Sequence, residues 1–500
     1  MKSNINRRTF IKGTTAMSLS AALALVGCGS SSDNSRSISI EPNPDPIPNP
    51  LPEVTANPNV DKSKAVVYLM LNGGNDSFNM LVPNSTTAYN EYTATRSNLK
   101  IAKSELKSLD GFTDKNSKTF GLHPAMPKIQ TLFNNKKLAF IANVGTLVEP
   151  TTKAQFLANS VSLPLGMMSH ADQRKHWQTS TPDKRTNIGM FGKLSDQFQT
   201  NKLDNQISMN ISLGGTNILQ NGVSSQEYSV TKDGSIGLKV KETVPNAGLQ
   251  SLNSALLETY NTILDKSYSD PFEKTFIETT KFAQTHHETF KAKTDSISPT
   301  TFVDYSGKAI HSNGTKYSGI DKEINDQFKI IAKAIKASED LGMNKQTFYV
   351  DYYGWDHHDE LLNNHERMLS VVDDALDGFQ KALVELGIED KVLTIVGSDF
   401  GRSLTSNGNG TDHAWGGNAI VMGKDIDGGK IYGEYPTLAL NSNLDIGGGV
   451  LVPTTSTDEL FAEVLYWFGV EKDSLLSYLP NLEKFYSVTN ATLPIGFLKT

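Results

Sequence analysis

The chain has 500 residues, of which 38% are hydrophobic and 20% charged, a composition typical of a folded protein. Its 54 acidic and 47 basic residues give a formal charge of −7 without a basic stripe, which excludes a nucleic-acid partner. The single cysteine excludes disulfides within the chain and iron–sulfur clusters, so any metal site must use ligands other than thiolates.

The first 28 residues have the pattern of an export signal. Arg7 and Arg8 form a twin arginine, and the apolar run that follows, about 16–26, is shorter than the roughly 20 residues of a membrane span. The run ends at Leu25-Val26-Gly27-Cys28, which resembles the site where a lipoprotein signal is cut and the new N-terminal cysteine acylated. We expect export by the twin-arginine translocase, cleavage before Cys28 and lipidation by the lipoprotein machinery. The alternative is a chance cysteine in a signal peptide.

Residues 29–60 are rich in Ser, Asn and Pro, a composition that buries too little apolar surface to fold. We predict a disordered tether, which at about 3.1 Å per residue reaches roughly 100 Å from its anchor. Gly29 stands where an aspartate is associated with retention in the inner membrane, so the outer membrane is the expected location. Contact with the membrane is expected through the lipid alone.

Residues 61–500 are predicted to form one α/β domain. Apolar runs that stop at glycine or polar turns predict buried strands, and apolar residues at every third or fourth position predict helices between them. This alternation predicts a doubly wound, mostly parallel sheet covered on both faces. The polar stretch of about 200–320 is predicted to be a peripheral insertion. The predicted strands are 64–71, 138–144, 347–353, 392–397 and 419–422, and the helical seams are 324–335 and 369–386.

Polar residues follow these strands. Because the carboxyl ends of parallel strands meet at one edge of a sheet, we expect the residues to converge there. Singly, each has a structural alternative as a turn residue, a helix cap or a buried histidine. Together they predict a site for a metal or an anion, with Zn, Mn, Mg or Ca as the candidate ions. The residues are Asn75, Asp76, Asp356, His358, Asp399, Arg402, Asp412 and His413.

Short motifs run in a fixed order along the chain: Leu69-Met70-Leu71-Asn72-Gly73-Gly74-Asn75-Asp76, Leu122-His123-Pro124-Ala125, Ser169-His170, Asp356-His357-His358, Ser398-Asp399-Phe400-Gly401-Arg402, Thr411-Asp412-His413, Trp467-Phe468-Gly469-Val470 and Leu479-Pro480-Asn481-Leu482. In this order the chain resembles the bacterial family catalogued as domain of unknown function 1501. That family in turn resembles the superfamily of alkaline phosphatases and sulfatases, so the resemblance implies an alkaline-phosphatase-like fold.

The resemblance also implies one or two divalent metal ions beside a nucleophile. It makes Asp76 the aspartate after the first strand and groups Asp356, His358 and His413 on one ion. Asp399 would be shared with a second ion. At Phe400 the chain departs from the phosphatases, which have a histidine ligand there. The second site therefore loses a nitrogen ligand and would be weaker, richer in oxygen or absent.

Ser169 is the candidate nucleophile, because it lies where the superfamily keeps its nucleophile and precedes a predicted helix. A helix N-terminus offers free N–H groups to a phosphate or sulfate, and a metal lowers the pKa of a serine. The alternative is that Ser169 and Asp172 only form a capping box. Arg402 is expected to grip the anion, or alternatively to pair with a carboxylate. Asn75 would stabilise the non-bridging oxygens of the same anion, and Asp412 would orient the ring of His413.

These features predict an exported, metal-dependent hydrolase of phosphate or sulfate esters, acting on small-molecule or glycan substrates at the cell envelope. The alternative is a surface-tethered binding protein that keeps the fold, with or without one structural metal, and performs no catalysis. A cofactor-dependent oxidoreductase is the least favoured class, because Asn72-Gly73-Gly74-Asn75 is not the glycine pattern that binds a dinucleotide and no cysteine is available for an iron–sulfur cluster.

Overall fold

The computed structural model describes residues 63–199, 207–238 and 246–499. The twin-arginine signal, Cys28 and the tether of 29–60 lie outside the described residues. Among the residues that are described, no helix combines the length and the apolar character needed to cross a membrane.

Twelve strands occur in the described parts of the chain. They are β1 (Lys64–Asn72), β2 (Leu81–Pro83), β3 (Lys107–Ser108), β4 (Phe120–Leu122), β5 (Leu138–Gly145), β6 (Asn210–Ser212), β7 (Tyr228–Ser229), β8 (Lys345–Tyr353), β9 (Val392–Ser398), β10 (Gly417–Gly423), β11 (Ile431–Tyr432) and β12 (Thr455–Ser456). The five predicted strands correspond to β1, β5, β8, β9 and β10.

The helices connect these strands. They are α1 (Ser77–Met80), α2 (Thr86–Arg96), α3 (Pro127–Asn134), α4 (Lys153–Leu157), α5 (His170–Thr179), α6 (Met190–Phe198), α7 (Ala247–Asp265), α8 (Pro271–Thr294), α9 (Gly319–Lys336), α10 (Leu361–Glu385), α11 (Thr457–Phe468) and α12 (Leu475–Tyr478). The two predicted helical seams lie in α9 and α10. A capping box of Ser318 and Asp321 begins α9 by satisfying free N–H groups of its first turn.

A nine-stranded sheet forms the centre of the fold, in the order β11-β5-β10-β9-β1-β8-β6-β7, with β12 also paired to β5. The central strand β1 runs parallel to both neighbours, so that Tyr68 lies between Tyr349 of β8 and Ile395 of β9. The predicted α/β class and mostly parallel sheet are confirmed. A separate small antiparallel sheet has the order β2-β4-β3.

Strand β10 departs from the predicted parallel pairing, since it is antiparallel to both β5 and β9. A parallel partner requires a crossover that carries the chain back along the length of the sheet, usually through a helix. Residues 399–416 between β9 and β10 contain no helix, so the chain turns back directly. The start of β10 therefore lies at the same edge as the end of β9.

Helices cover both faces of the sheet, and the alternation of side chains along β1 decides which residues meet which helices. Ala65, Val67, Leu69 and Leu71 belong to one core with α9 and α10, whereas Val66, Tyr68 and Met70 belong to another with α5, α6 and α11. Each fully buried valine, leucine or phenylalanine contributes roughly 1.5–3 kcal/mol of hydrophobic free energy. Because both faces of β1 are buried, its residues 65–71 are all apolar and lack the alternation of a half-exposed strand.

The stretch predicted as a peripheral insertion has two parts in the structure. Its described residues 210–229 supply β6 and β7, which extend the main sheet beside β8. Helices α7 and α8 follow, and the ring of Phe290 in α8 lies 5.8 Å from that of Tyr228 in β7. The helical part therefore packs against the edge of the sheet that the strand part extends.

Candidate metal centre

Three chain segments bring imidazole and carboxylate groups to one edge of the sheet. Asp356 and His358 follow β8, and His413 lies four residues before the start of β10. His170 is the first residue of α5. The antiparallel direction of β10 brings His413 to the edge where β8 and β9 end, so residues distant in sequence form one cluster.

The side chains of the cluster converge on one point. The Nε2 atoms of His358 and His413 lie 3.1 Å and 3.2 Å from Asp356 Oδ1, and His170 Nε2 lies 3.4 Å from Asp356 Oδ2. The Nε2 atoms of His358 and His413 are only 2.9 Å apart. Ligand atoms of His170, Asp356 and His413 all lie within 4.8 Å of one another, which is a spacing that suits a shared metal ion.

Each of the three histidines is held through its other ring nitrogen. His170 Nδ1 donates to Asp399 Oδ2 at 2.7 Å, and His413 Nδ1 donates to the carbonyl oxygen of Met168 at 2.8 Å. His358 Nδ1 lies 3.3 Å from Asp412 Oδ1. Metal-binding histidines are characteristically oriented in this way, by a carboxylate or a carbonyl behind the ring.

The hydrogen-bond partner of His413 decides which of its ring nitrogens carries the proton. A carbonyl oxygen only accepts hydrogen bonds, so the Nδ1 atom of His413, which faces the carbonyl of Met168, carries the proton and leaves a lone pair on Nε2. This Nε2 atom lies 2.9 Å from His358 Nε2 and 3.2 Å from Asp356 Oδ1. Two imidazole nitrogens and a carboxylate oxygen at such distances form a donor set that fits a divalent metal ion.

Asp399 supports the cluster from behind. Its Oδ1 accepts hydrogen bonds from the backbone N–H groups of Gly73 and Gly74, at 3.0 Å and 2.6 Å, and its Oδ2 holds His170. A side chain at Gly73 would collide with the backbone, since a Cβ there would lie 2.5 Å from the nitrogen of Asp356. The glycine turn after β1 therefore allows the loop carrying Asp356 to approach closely.

Charges around the cluster shift its pKa values. The hydrogen bond that His170 donates to Asp399 raises the pKa of His170, whereas burial lowers the pKa of His413. Burial alone would raise the pKa of Asp356, but Arg402, His170 and His358 together lower it below its ordinary value. Asp356 is therefore ionised at neutral pH and available as an anionic ligand.

Arg402 is the cationic side chain of the site. It is 1% exposed, and its Nη1 lies 3.0 Å from Asp356 Oδ1. Its Nε and Nη2 atoms have no hydrogen-bond partner among the described residues. A buried guanidinium with unused N–H groups beside an exposed carboxylate is suited to binding an anion.

Asp76, which was predicted to be a metal ligand, lies outside the cluster of His170, Asp356, His358 and His413. Its carboxylate is fully buried and forms an ion pair with Arg96, whose Nη1 also donates to the carbonyl oxygens of Ser403 and Leu404. Burial raises the pKa of Asp76 despite this arginine. The turn after β1 directs Asp76 towards the end of α2, so the structure does not bring it into the cluster.

Asn75 and Ser169 also have contacts of their own. Asn75 Oδ1 accepts a hydrogen bond from His365 Nε2 at 2.9 Å, which turns it away from the expected anion. The hydroxyl of Ser169 accepts from the backbone N–H of Asp172 at 3.5 Å, as the N-cap of α5. The helix cap is thus the contact that the structure shows for this serine.

His170 is the site residue that sequence reasoning missed. It belongs to the Ser169-His170 motif, in which the serine was the predicted nucleophile and the histidine had no predicted role. Asp412 was expected to orient His413 and instead contacts His358. A histidine at the first position of a helix, next to a capping serine, was the available signal for a ligand held on a rigid element.

A family model described as "Protein of unknown function (DUF1501)" matches residues 63–484. No curated protein matches the sequence at a significant level. The chain is similar to the solved structure of the lipoteichoic acid synthase LtaP from Listeria monocytogenes, at 9% identity over 83% of this chain and 76% of that one, with a TM-score of 0.32. A protein of the alkaline phosphatase superfamily from Vibrio parahaemolyticus gives 12% identity, 85% and 71% coverage and a TM-score of 0.31. At such scores neither similarity carries an argument about activity.

Proposed function

The chain belongs to the DUF1501 family, and from this premise we propose that its site binds a divalent metal ion and hydrolyses phosphate or sulfate esters at the cell envelope. The observation that carries the proposal is the pair of Nε2 atoms in His358 and His413, 2.9 Å apart, with each Nδ1 facing an acceptor. Asp356 and His170 complete a set of three imidazoles and one carboxylate.

This donor set favours zinc, which binds four nitrogen or oxygen ligands in a tetrahedron. Magnesium and calcium prefer shells made of oxygen and fit three imidazoles poorly. One ion is proposed rather than two, because the ring of Phe400 packs 4.7 Å from the rings of both His170 and His413. Asp76 and Asp399, the remaining carboxylates of the expected second site, are engaged by Arg96 and by the Gly73 and Gly74 amides.

A bound divalent ion would polarise the ester oxygen and lower the pKa of a coordinated water. Arg402, whose Nη1 lies 3.0 Å from Asp356 Oδ1, would place its positive charge beside the non-bridging oxygens and so favour binding of the ester next to Asp356. Hydrolysis forms a bond from the water oxygen to that atom and breaks its bond to the alcohol oxygen, which takes up a proton. Asp399, Asp412 and the carbonyl of Met168 keep the three imidazoles in place throughout.

The full-length protein, loaded with zinc and separately stripped by a chelator, tests the proposal. We expect about one equivalent of metal by inductively coupled plasma mass spectrometry, and hydrolysis of at least one of p-nitrophenyl phosphate, bis(p-nitrophenyl) phosphate and p-nitrophenyl sulfate that the chelator abolishes. The intact mass of the protein also reports whether Cys28 carries the acyl chains proposed for its envelope anchor. Tight metal binding without any hydrolysis would instead support the non-catalytic binding protein.

A Ser169→Ala variant distinguishes a mechanism in which water is the nucleophile from one in which Ser169 is the nucleophile. Because its hydroxyl caps α5, we expect Ser169→Ala to cost about 0.5–1 kcal/mol of unfolding free energy, at the low end for caps since the contact is long. Metal content and hydrolysis should change less than about threefold. Urea unfolding, metal analysis and kcat measure the three quantities. A loss of more than about a thousandfold in kcat with metal retained would make Ser169 the nucleophile.

A further inference from the structure

We infer that the site selects esters with a single negative charge, phosphodiesters and sulfate monoesters, over phosphate monoesters, an inference that rests on the proposed function. It follows from the charges that face the site. Among the described residues, Arg402 is the one arginine or lysine that contacts the cluster, through Asp356. The positive charge of the buried Arg96 is already paired with the carboxylate of Asp76.

The carboxylates of the site outnumber this cation. Asp356 lies within the cluster, Asp399 holds His170 from behind, and Asp412 lies against His358. A divalent ion together with Arg402 would supply three positive charges, and these three carboxylates supply three negative ones. The site with its ion is therefore close to neutral before any substrate enters.

The two kinds of ester differ by about one charge at neutral pH. A phosphate monoester carries close to two negative charges because its second pKa is near 6. A phosphodiester or a sulfate monoester carries one. In a partly buried site of low effective dielectric, each uncompensated charge costs more than it does in water. A phosphate monoester would therefore add about two uncompensated negative charges to this nearly neutral site, whereas a phosphodiester or a sulfate monoester would add one.

The geometry leaves room for the uncharged parts of such esters. The side chains of Asp356 and His358 are each 44% exposed, so the cluster is open to solvent on one side. Phe400, at 3% exposure, packs against the rings of His170 and His413 within the protein. A substrate therefore approaches from the open side, with its charged oxygens towards Arg402 and its alcohol groups towards solvent.

Equilibrium binding of three esters tests this selectivity without relying on turnover. Isothermal titration calorimetry at pH 8 would compare dimethyl phosphate and methyl sulfate, both monoanions, with methyl phosphate, a dianion, on the zinc-loaded full-length protein. We expect both monoanions to bind about tenfold more tightly than methyl phosphate. Removing a carboxylate with Asp412→Asn should narrow this ratio to about threefold or less, because the site then tolerates more negative charge.

Asp110→Asn is the matched control, since Asp110 is exposed and bonds with Asn134 away from the cluster. It should leave the ratio unchanged. Binding of methyl phosphate as tight as that of the two monoanions would overturn the selectivity inference, even if the metal-dependent hydrolysis is found. Failure of all three esters to bind the zinc-loaded protein would also overturn it. Absence of both zinc and hydrolysis would refute the proposed function itself.

Discussion

Replacement of Asp356 or His413 by alanine is expected to remove stoichiometric metal from the protein. Each substitution deletes one of four converging ligands, and Asp356 also brings the negative charge that offsets the ion. The loss of affinity should exceed the ~10–100-fold that removal of a supporting partner typically costs. Metal analysis after dialysis, and competition with a chelator of known affinity, measure the effect. Hydrolysis should fall with the metal.

Two variants control for unfolding and for indirect effects. Asp399→Asn keeps all four ligands and weakens only the support of His170, so metal should remain with affinity reduced about 10–100-fold. His176→Gln removes a histidine of the same helix α5 that instead contacts the carbonyl of Leu165, and it should bind metal normally. Unchanged metal content in both Asp356→Ala and His413→Ala would refute the assignment of the centre.

The second large effect is expected from Asp76→Ala. The substitution leaves Arg96 fully buried without its counter-charge and opens a gap beside the turn after β1. Removing one partner of a buried ion pair typically costs about 3–5 kcal/mol of unfolding free energy, because the remaining charge stays desolvated. Urea unfolding followed by circular dichroism measures this loss. The variant should still bind metal where it remains folded, because Asp76 lies outside the cluster.

An exposed ion pair provides the comparison. Glu434 pairs with Lys115 at 3.1 Å, with both side chains more than half exposed, so Glu434→Ala should cost less than about 1 kcal/mol. If Asp76→Ala unfolds at the same urea concentration as Glu434→Ala, the buried pair does not stabilise the fold as described. If instead Asp76→Ala is stable and loses its metal, Asp76 is a ligand after all.

The main strands could be predicted from the sequence because they are buried on both faces. β1 and β9 are continuous apolar runs that end at glycine or polar turns, which is the pattern of a parallel central strand. The direction of β10 was not predictable from its residues, since it depends on the absence of a crossover helix between 399 and 416. β6 and β7 are too short to show any periodicity.

The centre was predictable only in part. Asp356, His358 and His413 were candidates because they flank strands, and the structure brings these three together. His170 was not predicted, because it lies at the start of a helix and does not follow a strand. The actual partners of Asp76 and Asn75, Arg96 and His365, are side chains from other elements whose contacts arise from packing and leave no local pattern.

The ligands of the centre come from segments that meet only after the sheet has formed. Asp356 and His413 are separated by 57 residues, and His170 reaches them from a helix that precedes β8 in the sequence. An unfolded chain therefore cannot present this geometry, and a metal ion would bind the native state almost exclusively. At a free ion concentration of a thousand times the Kd, such binding adds about 4 kcal/mol to folding stability by mass action. A bound metal ion would then stabilise the folded state by linking three segments, the one after β8, the one before β10 and the start of α5.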